Sequence, residues 1–170
     1  MGHIFDLIVH NGFILLIPVF VWNFLLASKL PPPYDPVRFD EGIPKPLLVA
    51  ESVFRTIVFL LPLLFRIDPA AQSGKAGLIV YAAGILLYFA SWLALICLPE
   101  RVWRKRVLLF TAPAVTPLIW LAGIGLTADA YYFNLPFRHW HYLLPCIVFT
   151  VIHTAHSFLA FRKTAGGTKQ

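Results

Sequence analysis

The chain has 170 residues, of which 59% are hydrophobic and 13% are charged, whereas soluble domains are about 45–50% apolar and about 25% charged. One soluble core of this size could not bury so much apolar surface, so the composition excludes an ordinary soluble domain and indicates an integral membrane protein. The net charge of +6 comes from lysines and arginines that lie mainly between apolar segments, as membrane flanks do, and this argues against nucleic acid as a partner.

Five apolar segments are long enough to cross a hydrocarbon core of about 30 Å, which takes about 20 helical residues. They predict an all-α fold, a polytopic transmembrane helical bundle with spans at about 5–28, 46–66, 77–98, 107–127 and 140–161. Four of the five spans contain proline, which we expect to kink a span rather than to end it. We predict a single transmembrane domain over residues 1–163 and a short soluble tail over residues 164–170.

Two groups of polar residues stand where the first and fifth spans begin, on the same predicted face of the membrane. Residues His3, Asp6 and His10 follow i, i+3, i+7 spacing, which lines one side of a helix, and His139 and His141 precede the fifth span. Imidazole and carboxylate are ligands of iron, zinc and copper, so these five residues form a candidate metal site. The alternative is that they are interfacial side chains with polar tips.

The link between the first two spans, residues 31–46, contains six prolines. Proline fixes φ and restricts the preceding residue, so we expect this link to be extended and stiff. It carries Tyr34 and Arg38, which are candidate substrate-binding residues if the link covers the mouth of a site. The alternative is a solvated connector.

Charged and titratable residues inside the second and fifth spans are the most informative feature of the sequence. Glu51 and Arg55 lie four residues apart, and His153 and His156 lie three apart, so each pair shares one face of its helix. Ionisable groups at the centre of a span cost about 2.5–3.5 kcal/mol or more, and therefore normally face the bundle interior and pair. At 1.5 Å per residue, Glu51 lies about 7 Å and His156 about 9 Å from the same face.

These matching depths predict a polar pocket in which Glu51, Arg55, His153 and His156 are the candidate catalytic residues. The candidate substrate-binding residues are Tyr34, Arg38 and two polar residues in the same half of the membrane, Asn23 and Ser91. Desolvation and neighbouring charges act in opposite directions on such groups and can poise a proton for transfer near neutral pH.

Three functions are compatible with this pocket. The first is a membrane-embedded enzyme that acts by acid–base chemistry on a lipophilic, lipid- or isoprenoid-like substrate without a cofactor. The second is a non-catalytic accessory or assembly subunit of a membrane complex, in which the Glu51–Arg55 pair only locks the packing. The third is a membrane subunit that binds haem or a metal. Membrane lipid is the expected partner in each, and a homo-oligomer or a larger membrane complex is compatible with all three.

Two further patterns bear on packing and orientation. The segments "YAAGI" (81–85) and "LAGIGL" (121–126) offer small residues for close helix approach. With the N-terminus outside, ten lysines and arginines flank the spans on the inner side and three on the outer side, which favours N-out and C-in by the positive-inside rule. The inner ones are Lys29, Arg38, Lys45, Arg101, Arg104, Lys105, Arg106, Arg162, Lys163 and Lys169, and the outer ones are Arg66, Lys75 and Arg138.

Overall fold

The computed structural model describes residues 9–166 and is mostly helical. Its helices and strands, in chain order, are α1 (Ile17–Leu26), α2 (Pro36–Asp40), α3 (Lys45–Leu60), β1 (Phe65–Ile67), α4 (Gln72–Cys97), α5 (Glu100–Trp103), α6 (Val107–Val115), α7 (Pro117–Thr127), β2 (Ala128–Tyr131) and α8 (Trp140–Gly166). Short 3₁₀ turns extend α1 at both ends and continue α3 over Leu61–Leu64.

Within residues 9–166, five helical stretches are long and apolar enough to cross a membrane, and this number agrees with the five apolar segments of the sequence. The third begins five residues before its predicted start, and α8 continues through three residues of the predicted tail. Their bounds are Gly12–Lys29, Lys45–Leu64, Gln72–Cys97, Val107–Thr127 and Trp140–Ala165.

Proline shapes several of these spans. Pro117 begins α7 directly after Thr116, so the fourth span is divided into α6 and α7. Pro62 lies in the 3₁₀ turn that follows α3. Pro113 and Pro145, in contrast, lie inside continuous helices. A proline has no N–H to donate to the helix and its ring crowds the preceding turn, which explains the break in the fourth span.

A two-stranded antiparallel ribbon was not part of the predicted all-α fold. Strands β1 and β2 pair Phe65 with Tyr131 and Arg66 with Ala130, and Asn11 extends the ladder with a single bridge to Arg66. The Arg66 Nη2 atom donates to Asp129 Oδ2 at 2.6 Å, and this hydrogen bond raises the pKa of Arg66. Strands of three and four residues directly after a span carry no separate hydrophobic period, so the sequence shows no signal for them.

Helices α4 and α7 approach so closely that their backbones touch. A Cβ atom on Gly84 would lie 2.4 Å from the Trp120 nitrogen, and one on Gly123 would lie 2.3 Å from the Tyr81 nitrogen. Only glycine fits there, and both glycines belong to the two small-residue segments noted above. Helix α8 packs against α3, α6 and α7, and this arrangement brings the polar faces of the second and fifth spans together.

Candidate functional site

The Glu51 carboxylate is the centre of the candidate site. Glu51 lies on the face of α3 that packs against α8, and only 3% of its surface is exposed. Arg55, one helical turn further along α3, forms an ion pair with Glu51 Oε1. The Arg55 side chain is about half exposed, with 48% of its surface accessible, so the guanidinium lies at the exposed edge of the site. The pair therefore follows directly from i, i+4 spacing on one helix.

Two histidines of α8 complete the cluster around this carboxylate. His153 Nδ1 lies 3.0 Å from Glu51 Oε1, and His156 Nδ1 lies 2.5 Å from Glu51 Oε2. The structure thus brings together all four residues that the sequence singled out as catalytic, from two spans about a hundred positions apart in the chain. Their catalytic role stays a prediction.

His156 has acceptors at both ring nitrogens. Its Nε2 atom lies 3.3 Å from the Phe39 carbonyl oxygen and 3.4 Å from Asp40 Oδ1, while Nδ1 faces Glu51. An imidazole whose two nitrogens both donate carries a proton on each and is a cation. The cluster then contains two cations, Arg55 and His156, and two carboxylates, Glu51 and Asp40. Such a balance is what a low-dielectric site requires.

His153 is bound on one side only. Its ring stacks on Phe149, with centroids 5.3 Å apart and planes 9° apart, and Nδ1 is held by Glu51. Within residues 9–165, no hydrogen-bond partner meets its Nε2 atom. Packing and the carboxylate thus fix the orientation of a ring that keeps one nitrogen open.

An apolar cavity of about 150 Å³ lies beside His153, which forms part of its wall. The rest of the wall comes from the proline-rich link and from α4, α6 and α8, and its polar or aromatic members are Tyr34, Phe39, Tyr88, Trp92 and Ser157. The Trp92 indole is 8% exposed, and its Nε1 atom has no hydrogen-bond partner in the described part of the chain. The cavity therefore combines apolar walls with a few polar atoms, as small-molecule sites do.

The link over residues 31–44 rests on the bundle rather than extending into solvent. The Tyr34 ring stacks on Phe110 with centroids 4.8 Å apart, and its hydroxyl donates to the Phe110 carbonyl oxygen at 2.5 Å. Burial raises the pKa of Tyr34 far above its usual range, so the hydroxyl is a neutral donor. The Phe39 ring packs against the His156 ring, with centroids 4.6 Å apart. The link thus covers the end of the site.

The four predicted substrate-binding residues separate into two groups. Tyr34 lines the cavity beside His153, whereas Arg38 lines more open pockets on the other side of the link. Asn23 and Ser91 do not line the cavity. Both contact Tyr88, which does, because the Tyr88 hydroxyl donates to Asn23 Oδ1 at 2.7 Å and the Ser91 hydroxyl donates to the Tyr88 carbonyl at 2.6 Å. They hold a wall of the cavity in place.

Four residues of the site, Phe39, Tyr88, Trp92 and Ser157, were missed by the sequence analysis, as was the contact of Asp40 with His156. Tyr88 and Trp92 are i, i+4 on α4, and Ser157 is i+4 from His153, so helical spacing contained the signal for these three. Phe39 and Asp40 reach His156 only because the link folds back onto α8. A contact that depends on tertiary folding leaves no periodic signal in the sequence.

Two of the candidate metal ligands at the opposite end, His139 and His141, have hydrogen-bond partners outside the predicted ligand set. His3 and Asp6 lie outside the described residues. His139 Nδ1 lies 2.9 Å from the Gly125 carbonyl oxygen, and His141 Nδ1 lies 3.3 Å from the Tyr131 hydroxyl. The described residues contain no group of three or more His, Cys, Asp or Glu that could hold a metal ion. Metal binding by the five residues together stays a prediction.

Comparison with known proteins adds no relative to this description. No family model, no curated protein and no solved structure matches the chain. The five apolar helices of the described residues are compatible with an integral membrane protein.

Proposed function

We propose that the protein is a membrane-embedded enzyme that moves a proton on a lipophilic small molecule, with His153 as the acid–base group. The observation that supports this most strongly is the one-sided binding of His153. One ring nitrogen is held by a buried carboxylate, the other has no hydrogen-bond partner among the described residues, and the residue lines an apolar cavity.

The arrangement has a clear chemical consequence. A neutral His153 that donates from Nδ1 to Glu51 has its lone pair on Nε2, where it can accept a proton from an O–H or an activated C–H group of a substrate. The imidazolium that results is stabilised by the carboxylate 3.0 Å away. Glu51 therefore selects the tautomer of His153 and supports its charged form, without itself reaching the substrate.

Arg55 and His156 act on Glu51 in this proposal. An ion pair on Oε1 and a hydrogen bond on Oε2 favour the ionised carboxylate, which must remain charged in order to hold His153. Arg55 and His156 are positioning residues. Both ring nitrogens of His156 already face protein acceptors, and Arg55 lies on the exposed side of the Glu51–Arg55 ion pair.

The cavity indicates the class of substrate. Its walls are largely aromatic and aliphatic, and its few polar residues, such as His153 and Ser157, can orient one small polar group. A lipid- or isoprenoid-like molecule that reaches the site from the bilayer has this combination of a long apolar body and one functional group. No cofactor is needed for proton transfer between such a group and an imidazole.

Proton transfer can be tested without knowing the substrate. The purified protein is reconstituted in nanodiscs with a lipid extract of its native membrane and incubated in D₂O, and the lipids are then compared by mass spectrometry. We expect at least one lipophilic species to gain deuterium or to be converted to a product by the wild-type protein and not by His153→Gln. His141→Gln, a histidine substitution at the opposite end, is the matched control and should behave as wild type.

Two results would contradict the proposal. The first is a lipid profile that is the same with wild type and with His153→Gln. The second is a His153→Gln protein whose thermal midpoint falls as far as that of Glu51→Gln, because the histidine would then serve packing. The second result would favour the accessory-subunit interpretation.

A further inference from the structure

A separate polar pocket of about 570 Å³ lies at the same end of the bundle, on the other side of the proline-rich link. Three cationic side chains from distant parts of the chain line it: Arg38 in α2, Arg104 after α5 and Lys163 near the end of α8. Two carboxylates, Glu41 and Glu100, belong to the same wall. Three cations and two carboxylates give the pocket a net positive charge of one.

The carboxylates of the pocket do not pair with every N–H donor of its cationic side chains. Lys163 donates to the Glu41 carbonyl oxygen, and Arg104 Nη2 lies 2.9 Å from Glu100 Oε1. Arg104 Nε, however, is buried and has no hydrogen-bond partner in the described part of the chain. Arg38 has no carboxylate within ion-pair distance among residues 9–165. Arg38 therefore offers its N–H donors to this pocket, and Arg104, in the same wall, keeps one buried N–H donor unused.

We infer that this pocket binds a phosphate group. A buried donor without an acceptor costs about 1–3 kcal/mol, and an oxyanion that reaches Arg104 Nε would remove that cost. Guanidinium groups bind phosphate oxygens with paired, charge-assisted hydrogen bonds, which neutral ligands cannot match. With a volume of about 570 Å³, the pocket also has room for a whole tetrahedral anion.

The position of the pocket relates it to the bilayer. Arg38 and Arg104 lie between candidate spans and Lys163 lies at the end of the last one. Cationic side chains that flank membrane spans attract the phosphates of anionic lipids. The same link contributes Tyr34 and Phe39 to the apolar cavity and Arg38 and Glu41 to this pocket. The phosphate can belong to a lipid headgroup or can be a free anion. The inference does not depend on the proposed function, since a phosphate can bind here whether or not His153 transfers a proton.

Binding can be measured by titrating the protein in a zwitterionic detergent with inorganic phosphate and, separately, with dihexanoyl phosphatidic acid. Dihexanoyl phosphatidylcholine, whose phosphate is shielded by choline, is the lipid control. We expect saturable binding at one site, weakened tenfold or more in Arg38→Gln and in the double variant with Arg104→Gln. Arg101→Gln, an exposed arginine of α5 that does not line the pocket, should bind within twofold of wild type.

The titrations with inorganic phosphate and with phosphatidic acid distinguish two kinds of site. Competition between inorganic phosphate and phosphatidic acid would support a site for the phosphate itself, while saturable binding of phosphatidic acid alone would support a lipid headgroup site. Equal weakening by Arg101→Gln and Arg38→Gln would overturn the inference, because binding would then follow overall charge. Absence of binding to the wild-type protein would overturn it as well. Arg38 is exposed and makes no ion pair in the described residues, so its substitution should leave the fold intact.

Discussion

The Glu51 carboxylate holds three side chains with two oxygen atoms. Oε1 accepts from Arg55 and His153, and Oε2 accepts from His156. In a span, this carboxylate has no water to replace a lost partner, so each of these contacts matters more than it would at a protein surface. The charge of Glu51 consequently helps to fix the register of α3 against α8 and orients His153.

Glu51→Gln should lower the free energy of unfolding by about 3 kcal/mol, because it removes the carboxylate from Arg55 and leaves His156 with only the exposed Asp40 carboxylate beside it. The measurement is the unfolding midpoint in detergent micelles under increasing SDS or heat. Glu100→Gln is the matched control. The Glu100 carboxylate is 58% exposed and pairs with Arg104 at the surface, so this change should cost less than about 1 kcal/mol. Equal losses in the two variants would contradict a buried, charged Glu51.

At the scale of elements, the glycines decide how α4 and α7 pack. Gly84 and Gly123 each face the backbone of the other helix, which cannot give way as a side chain can. Gly125, two residues after Gly123, faces the side chains of Tyr142 and Leu143 instead of a backbone, with a nearest distance of 3.0 Å. The same small-residue segment therefore contains one position that tolerates no methyl group and one that tolerates it with adjustment.

Gly123→Ala should push α7 away from α4 and lower the free energy of unfolding by about 2 kcal/mol or more, as overpacking of a tight contact does. Gly125→Ala should have a clearly smaller effect, since a side chain can move and alanine has the better helix propensity. Unfolding midpoints of both variants in the same detergent test this difference. If Gly125→Ala were the more harmful change, the close contact between the backbones of α4 and α7 would be wrong.

The sequence predicted the elements of the site better than it predicted the cavity. The costs of burying Glu51, Arg55, His153 and His156 in lipid required partners, and helical rise placed those partners at equal depths. Periodicity could not reveal that Phe39 and Asp40 fold back onto His156, because the register of a proline-rich link carries no hydrophobic period. The ribbon of β1 and β2 was missed for the related reason that its strands are too short to show one.

At the scale of the whole molecule, the connections between the spans lie at two opposite ends of the bundle. The ribbon joins the segments after the second and fourth spans at one end. The proline-rich link, α5 and the end of α8 line a common pocket at the other. Adjacent spans therefore run in opposite directions. The positive-inside rule leads us to propose that the end with the pocket is cytoplasmic, with the N-terminus outside and the C-terminus inside.

Single cysteines can test this orientation after Cys97 and Cys146 have been replaced by alanine. A membrane-impermeant maleimide should label Lys75→Cys in intact cells and should label Arg101→Cys only after the membrane has been permeabilised. Both residues are exposed, so accessibility differs only through the side of the membrane. The reverse pattern of labelling would invert the proposed topology, and labelling of both positions in intact cells would contradict a fixed orientation.

The intrahelical pair of Glu51 and Arg55 also matters while the protein is being made. A ribosome completes the second span about a hundred residues before His153 and His156 exist, since these partners lie 102 and 105 positions further along the chain. During that interval the carboxylate has a counter-charge one turn away on its own helix. Arg55 thus keeps the second span almost neutral in the bilayer until the fifth span has been inserted. His153 and His156 can then bind the Glu51 carboxylate.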